Sequence, residues 1–101
     1  MNPQAAAEAA AMVLARANLY DQRIRKDDSG ITAAWAEAIA RHNLDRAYLL
    51  QAVTTYYEEP RDRSLQVGDV IRIARDARQR DALVDNASSL AAPELVEALP
   101  P

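Results

Sequence analysis

The sequence contains no cysteine and no phenylalanine, one histidine, one tryptophan and two glycines. Without cysteine it has no disulfide, no thiolate nucleophile and no thiolate metal ligand. His42 stands alone, and neither a second histidine nor a cysteine exists to complete a zinc set. It reads instead as a helix-end residue, favourable beside the negative pole of the helix. Neither glycine belongs to a phosphate-cradling loop, and Ser29, Ser64, Ser88 and Ser89 lie in no nucleophile-elbow context. The acidic pairs Asp27-Asp28 and Glu58-Glu59 read as caps or solvated charges. No enzyme activity, metal or cofactor is therefore expected.

Long apolar runs are also missing. None approaches the roughly 20 residues that cross a bilayer as a helix. The opening MNPQAAAEAAAMVLARANLY lacks a basic start and is interrupted by Glu8 and Arg16, so it reads as a helix and not as a signal peptide. No membrane association and a cytoplasmic location are the expectations.

What is present is helix-forming sequence. Alanine inflates the apolar share, and alanine favours helices while burying little. The heavy core is assigned to Trp35, the tyrosines and the Leu/Ile/Val set. Asn2 and Pro3 suit a helix start, and Ala6, Ala10, Val13, Leu14, Ala17 and Tyr20 recur at helical spacing, which predicts a helix over 3–20. After the polar DQRIRKDDSG, the residues Ile31, Trp35, Ala38, Ile39 and His42 share one face, predicting a helix over 31–41. Asp45 caps a third helix to Tyr57, whose apolar face is Leu49, Leu50, Val53, Tyr56 and Tyr57, with Tyr48 as the best exposed aromatic. Pro60 ends that segment. A fourth helix is predicted over 67–84, with Val67, Val70, Ala74, Ala77 and Val84 inward. No strand-like alternation of useful length occurs. The expected fold is all-α: a small bundle of about four helices over residues 1–84, followed by a flexible acidic and apolar tail over 85–101.

Charge divides the chain. The total is −3, which argues against bulk nucleic-acid affinity. Yet residues 60–80 hold six arginines against three aspartates, and residues 81–101 hold four acids and no base. Arg72, Arg75 and Arg78, with Arg61 and Arg63 before them, form a candidate surface for phosphate or an acidic partner, because guanidinium donors make a planar fork. The plainer reading is a solvated helix face, with Asp69 and Asp76 spaced to pair with the arginines. A DNA-reading helix-turn-helix fits poorly. The connection from Glu58 to Gln66 exceeds the usual three or four residues, and the VGDVIR start of the next helix is mostly apolar where base contacts are made.

The order of features also carries a resemblance. YDQR closes the first helix, ITAAWAEAIA is a tryptophan helix, LDRAYLLQAVTTYY follows with Ala-Val ahead of tyrosines, and VGDVIRIARDARQR comes after a gap. Over about residues 8–80 this resembles small helical proteins of actinobacterial phages and prophages. More distantly it is similar to the N-terminal domain of phage replicative-helicase loader/inhibitor proteins. The resemblance implies a compact helical domain with a C-terminal segment that contacts a helicase. On that implication Leu90, Leu95, Val96 and Leu99 would be the anchors for a protein partner. The expected function is a non-enzymatic protein-interaction module, an adaptor or inhibitor in phage replication. Two alternatives stay open: a small DNA-binding protein using the fourth helix's arginines, and a homo-oligomeric structural module using spare apolar surface around Met12, Leu14, Ile24 and Ile73.

Overall fold

A computed structural model describes the backbone of residues 1–98 and the side chains of residues 1–85. It is all-α, with four helices and no strand among the described residues: α1 (Pro3–Tyr20), α2 (Ser29–His42), α3 (Arg46–Tyr57) and α4 (Val67–Ala98). The helices pack as a ring in which α1 touches α2 and α3, α3 touches α4, and α4 closes back weakly on α2.

Each helix starts where local chemistry directs it. The Asn2 side chain accepts from the Ala5 N–H at 2.7 Å, with Pro3 at the first helical position. Asp28 caps α2 by accepting from Ile31 N–H at 2.9 Å, so α2 opens two residues earlier than its apolar pattern. Its end is set by Asn43, whose φ of 45° is the left-handed conformation that Asn tolerates better than most residues. At α4 the Asp69 carboxylate reaches back to the Gln66 N–H at 2.9 Å, the reciprocal half of a capping box. Asp45 precedes α3, but its side chain makes no cap hydrogen bond.

The core is built from small and medium side chains. Ala6, Ala10, Val13, Leu14 and Ala17 on α1 meet Ile39, Leu44, Leu49, Val53 and Tyr56, with Val70, Ile71 and Ala74 from α4. Alanine on α1 lets its neighbours approach closely, while Leu14 and Leu49 fill the space between. No polar or charged residue lies in this core among the described residues.

Three expectations about the core are corrected. Trp35 is half-buried and packs against the core from outside, because α2 lies on the rim of the bundle and buries Ile39 alone. Tyr57 is half-buried, and Tyr56 is the core tyrosine. Leu14 and Ile24 are buried, so they offer no spare apolar surface, whereas Met12 stays 42% exposed.

The fourth helix departs most from the expectation. Its helical backbone does not stop near Val84 but continues to Ala98. The inward stripe of Val70 and Ala74 is buried, Ala77 is half-buried, and every residue from Arg78 to Asp85 is exposed. Val84, expected inward, is 62% exposed because the bundle has ended before it. The last described side-chain tie to the body is the Tyr48 hydroxyl, which donates to Asp81 Oδ2 at 2.7 Å. Beyond it α4 carries 17 further residues, about 25 Å at 1.5 Å per residue.

Candidate functional site

The surface of α4 facing away from the bundle is set by helical geometry. Counting 100° per residue from the buried Val70, Arg72, Asp76, Gln79 and Leu83 fall on the opposite side. Arg72, Arg75, Asp76, Arg78, Gln79 and Ala82 line one shallow groove there. Leu83 lies just beyond it, 60% exposed, with Val84 adjacent. The result is a basic groove running into an uncovered apolar step.

The five arginines singled out from the sequence divide into two groups. Arg61 and Arg63 belong to the α3–α4 connection and are engaged there. Arg61 Nε donates to the Tyr56 carbonyl at 3.0 Å, and its guanidinium lies 4.7 Å above the Tyr56 ring. Arg63 grips Asp69 through both terminal nitrogens, each at 3.0 Å. Burial alone would raise the Asp69 carboxyl; the Arg63 fork and the Gln66 N–H outweigh it and hold the group below the ordinary aspartate value. Arg72, Arg75 and Arg78 share the groove on α4. Arg72 approaches Asp69 at 3.9 Å, and Arg78 donates to the Asn43 carbonyl at 3.3 Å. Arg63 and Arg72 both reach Asp69, so the two groups adjoin there with that carboxylate between them. The proposed partner anchors Leu90, Leu95, Val96 and Leu99 lie outside the residues whose side chains are described.

A second constellation was not foreseen. Asp21, just past the end of α1, is an acceptor hub between two connections. Arg23 donates to it through Nε at 2.9 Å and a terminal nitrogen at 3.0 Å. Ser64 Oγ donates to Oδ2 at 2.7 Å and Tyr57 OH at 3.2 Å. The Tyr57 oxygen in turn accepts from the Leu65 N–H at 3.2 Å. Arg23 also donates to the Asp62 carbonyl at 3.1 Å. The Arg23 guanidinium, and then the Ser64 hydroxyl, hold the Asp21 carboxyl far below the ordinary aspartate range. Tyr20 stacks on Tyr57 at 5.4 Å between ring centres. This network ties the end of α1 to the connection that enters α4. It is a structural latch: the Arg23, Ser64 and Tyr57 side chains converge on Asp21.

Tyr48, read as an exposed aromatic, is half-buried, and its hydroxyl is spent on Asp81, which pushes the phenol above its usual value. His42 sits half-buried in the last turn of α2 beside Arg41. Among the described residues no group of three His, Cys, Asp or Glu side chains is placed to hold a metal, and no helix is long and apolar enough to cross a membrane. Comparison of the chain with protein-family models, curated proteins and solved structures finds no match.

Proposed function

We propose that this protein is a non-enzymatic interaction module that presents the outer half of α4 to a protein partner. The observation that carries the reading is the exposed run from Arg78 to Asp85, with Leu83 and Val84 uncovered on a helix that has left its bundle. A helix with no packed face gains little from propensity alone. An amphipathic stretch held out by a rigid body is the form taken by helix-in-groove recognition, in which spaced apolar anchors enter a partner's cleft. The Tyr48–Asp81 and Arg78–Asn43 hydrogen bonds support the reading, because they fasten α4 to the bundle where it emerges. The resemblance to helicase loader/inhibitor proteins makes a replicative helicase the first partner to test.

The groove lined by Arg72, Arg75 and Arg78 favours a second reading, binding of nucleic acid through its phosphates. Asp76 in the same groove weakens its field. One experiment separates the two. Affinity capture from nuclease-treated lysate is run with the full chain and with Leu83→Glu. The proposed function predicts a protein retained through nuclease and through moderate salt, and lost with Leu83→Glu, whose core is untouched. Equal retention by both chains contradicts it. Recovery of nucleic acid alone from untreated lysate, disappearing steeply with salt, supports the second reading instead.

A further inference from the structure

Where the α1–α2 connection meets the α3–α4 connection, a cleft of about 320 Å³ opens beside α2. Stretches far apart in sequence build it. Leu14 comes from α1, Ile24 and Arg25 from the α1–α2 connection, Ile31 and Trp35 from α2, and Leu65 from the connection that enters α4. Leu14, Ile24 and Leu65 are at most 7% exposed, so they form a fixed apolar floor. Trp35 is half-buried; it packs against the core and also lines the cleft. A large indole kept out of the core and set beside a cleft offers an apolar face to a ligand. The size lies at the small end of ligand pockets, which are mostly apolar with a few polar groups that fix orientation.

The charge of the cleft is one-sided. Arg23 and Arg25 line it and no acidic side chain does. Arg23 is neutralised by Asp21 at 2.9 Å and donates to the Asp62 carbonyl. Arg25 is exposed, and among the described residues it has no hydrogen-bond or ion-pair partner. The nearest carboxylates in sequence do not claim it. Asp21 is held by Arg23, Asp28 accepts from the Ile31 N–H, and Asp27 lines an adjoining groove without reaching ion-pair distance. The larger groove between α1 and α2 offers no such selection, since its Arg41 is already paired with Glu37 at 2.8 Å.

An apolar floor beside one unpaired guanidinium selects a molecule with an apolar body and a single negative charge. A carboxylate matches the planar fork of guanidinium donors. We infer that this cleft is a binding site for a small organic carboxylate with an aromatic or short aliphatic body, its apolar part against Trp35, Ile31 and the buried floor and its carboxylate on Arg25. None of these residues belongs to the outer half of α4, so the inference stands independently of the proposed interaction.

Trp35 is the only tryptophan, so its emission reports occupancy of the cleft directly. The full chain and Arg25→Gln are titrated with phenylacetate and with phenylacetamide, its uncharged counterpart of nearly the same shape. The wild-type chain binds phenylacetate saturably and roughly tenfold more tightly than phenylacetamide, the ratio expected for one charge-assisted contact. In Arg25→Gln the acid falls to the level of the amide. The amide is bound as before, which shows that the cleft is still formed. The same additions move the backbone amide resonances of Ile24, Ile31 and Leu65 and leave those of Arg78 to Asp85 in place. Trp35 emission that does not saturate with phenylacetate overturns the inference. So do equal affinities for acid and amide, loss of both ligands or an unchanged preference in Arg25→Gln, and resonance shifts confined to other parts of the bundle.

Discussion

Tyr56→Ala is expected to cost about 3–5 kcal/mol of folding stability, the range for removing a large buried aromatic. Tyr56 is 2% exposed. Its hydroxyl donates to the Arg63 carbonyl, its ring meets Tyr57 edge-on at 4.9 Å, and Arg61 covers its face. A domain of this size holds about 5–15 kcal/mol in total. At roughly 4–8 °C per kcal/mol, the midpoint of thermal unfolding should fall by about 12 °C or more. Tyr56→Phe separates packing from hydrogen bonding. It keeps the ring and loses one neutral hydrogen bond, so about 1 kcal/mol is expected. Equal losses for the two variants would show that the hydroxyl, and with it the path of the α3–α4 connection, dominates at this position.

Asp21→Ala is expected to cost about 2–4 kcal/mol, because it removes the shared acceptor of several donors. The Asp21 side chain is 8% exposed and its Arg23 partner 62%. Arg23 recovers water, so most of the loss comes from the part-buried Ser64 and Tyr57 hydroxyls. The network has a pH signature. In an unfolded chain an aspartate titrates near pH 4. In the fold Asp21 titrates well below that, held down first by Arg23 and then by Ser64. Its contribution is complete above about pH 4 and is lost as the pH falls from there toward the folded value. Urea midpoints measured between neutral pH and about pH 2.5 should drop more steeply for the wild type than for Asp21→Asn, which has no carboxyl to protonate. Parallel curves would remove Asp21 from the acid response.

The four helices were legible because their signals are local. Asn2-Pro3, the apolar spacing of α1 and α3, and the break at Pro60 each act within a turn or two of their own position. The same locality explains the misses. Trp35 looked like core from its place on an apolar face, but how deep a face sits depends on which helices cover it, and α2 is covered on one side only. The Asp21 hub was invisible because Ser64 and Tyr57 are 43 and 36 residues away from it. Nothing in DQR or RDRSLQ names its partner. The arginines of the connection illustrate the same point: Arg61 is engaged by Tyr56, and Arg63 and Arg72 meet at one Asp69 carboxylate. The exposure of Leu83 is legible in the sequence. Its angle from Val70 already puts it on the outer side of α4, whatever the rest of the bundle does. The extension of α4 beyond Val84 is not, since the inward stripe ends with the body it packs on and helical backbone continues without it.

The most direct test is affinity capture from nuclease-treated lysate with the full chain beside a chain ending at Val84. The core ends at Ala74, so the shortened chain keeps every buried contact, and circular dichroism should show the loss of helix beyond residue 84 with cooperative unfolding retained. The account predicts that the full chain retains a protein partner and that the shortened chain does not. Equal capture by both chains would place the interaction surface on the bundle and contradict the role assigned to α4.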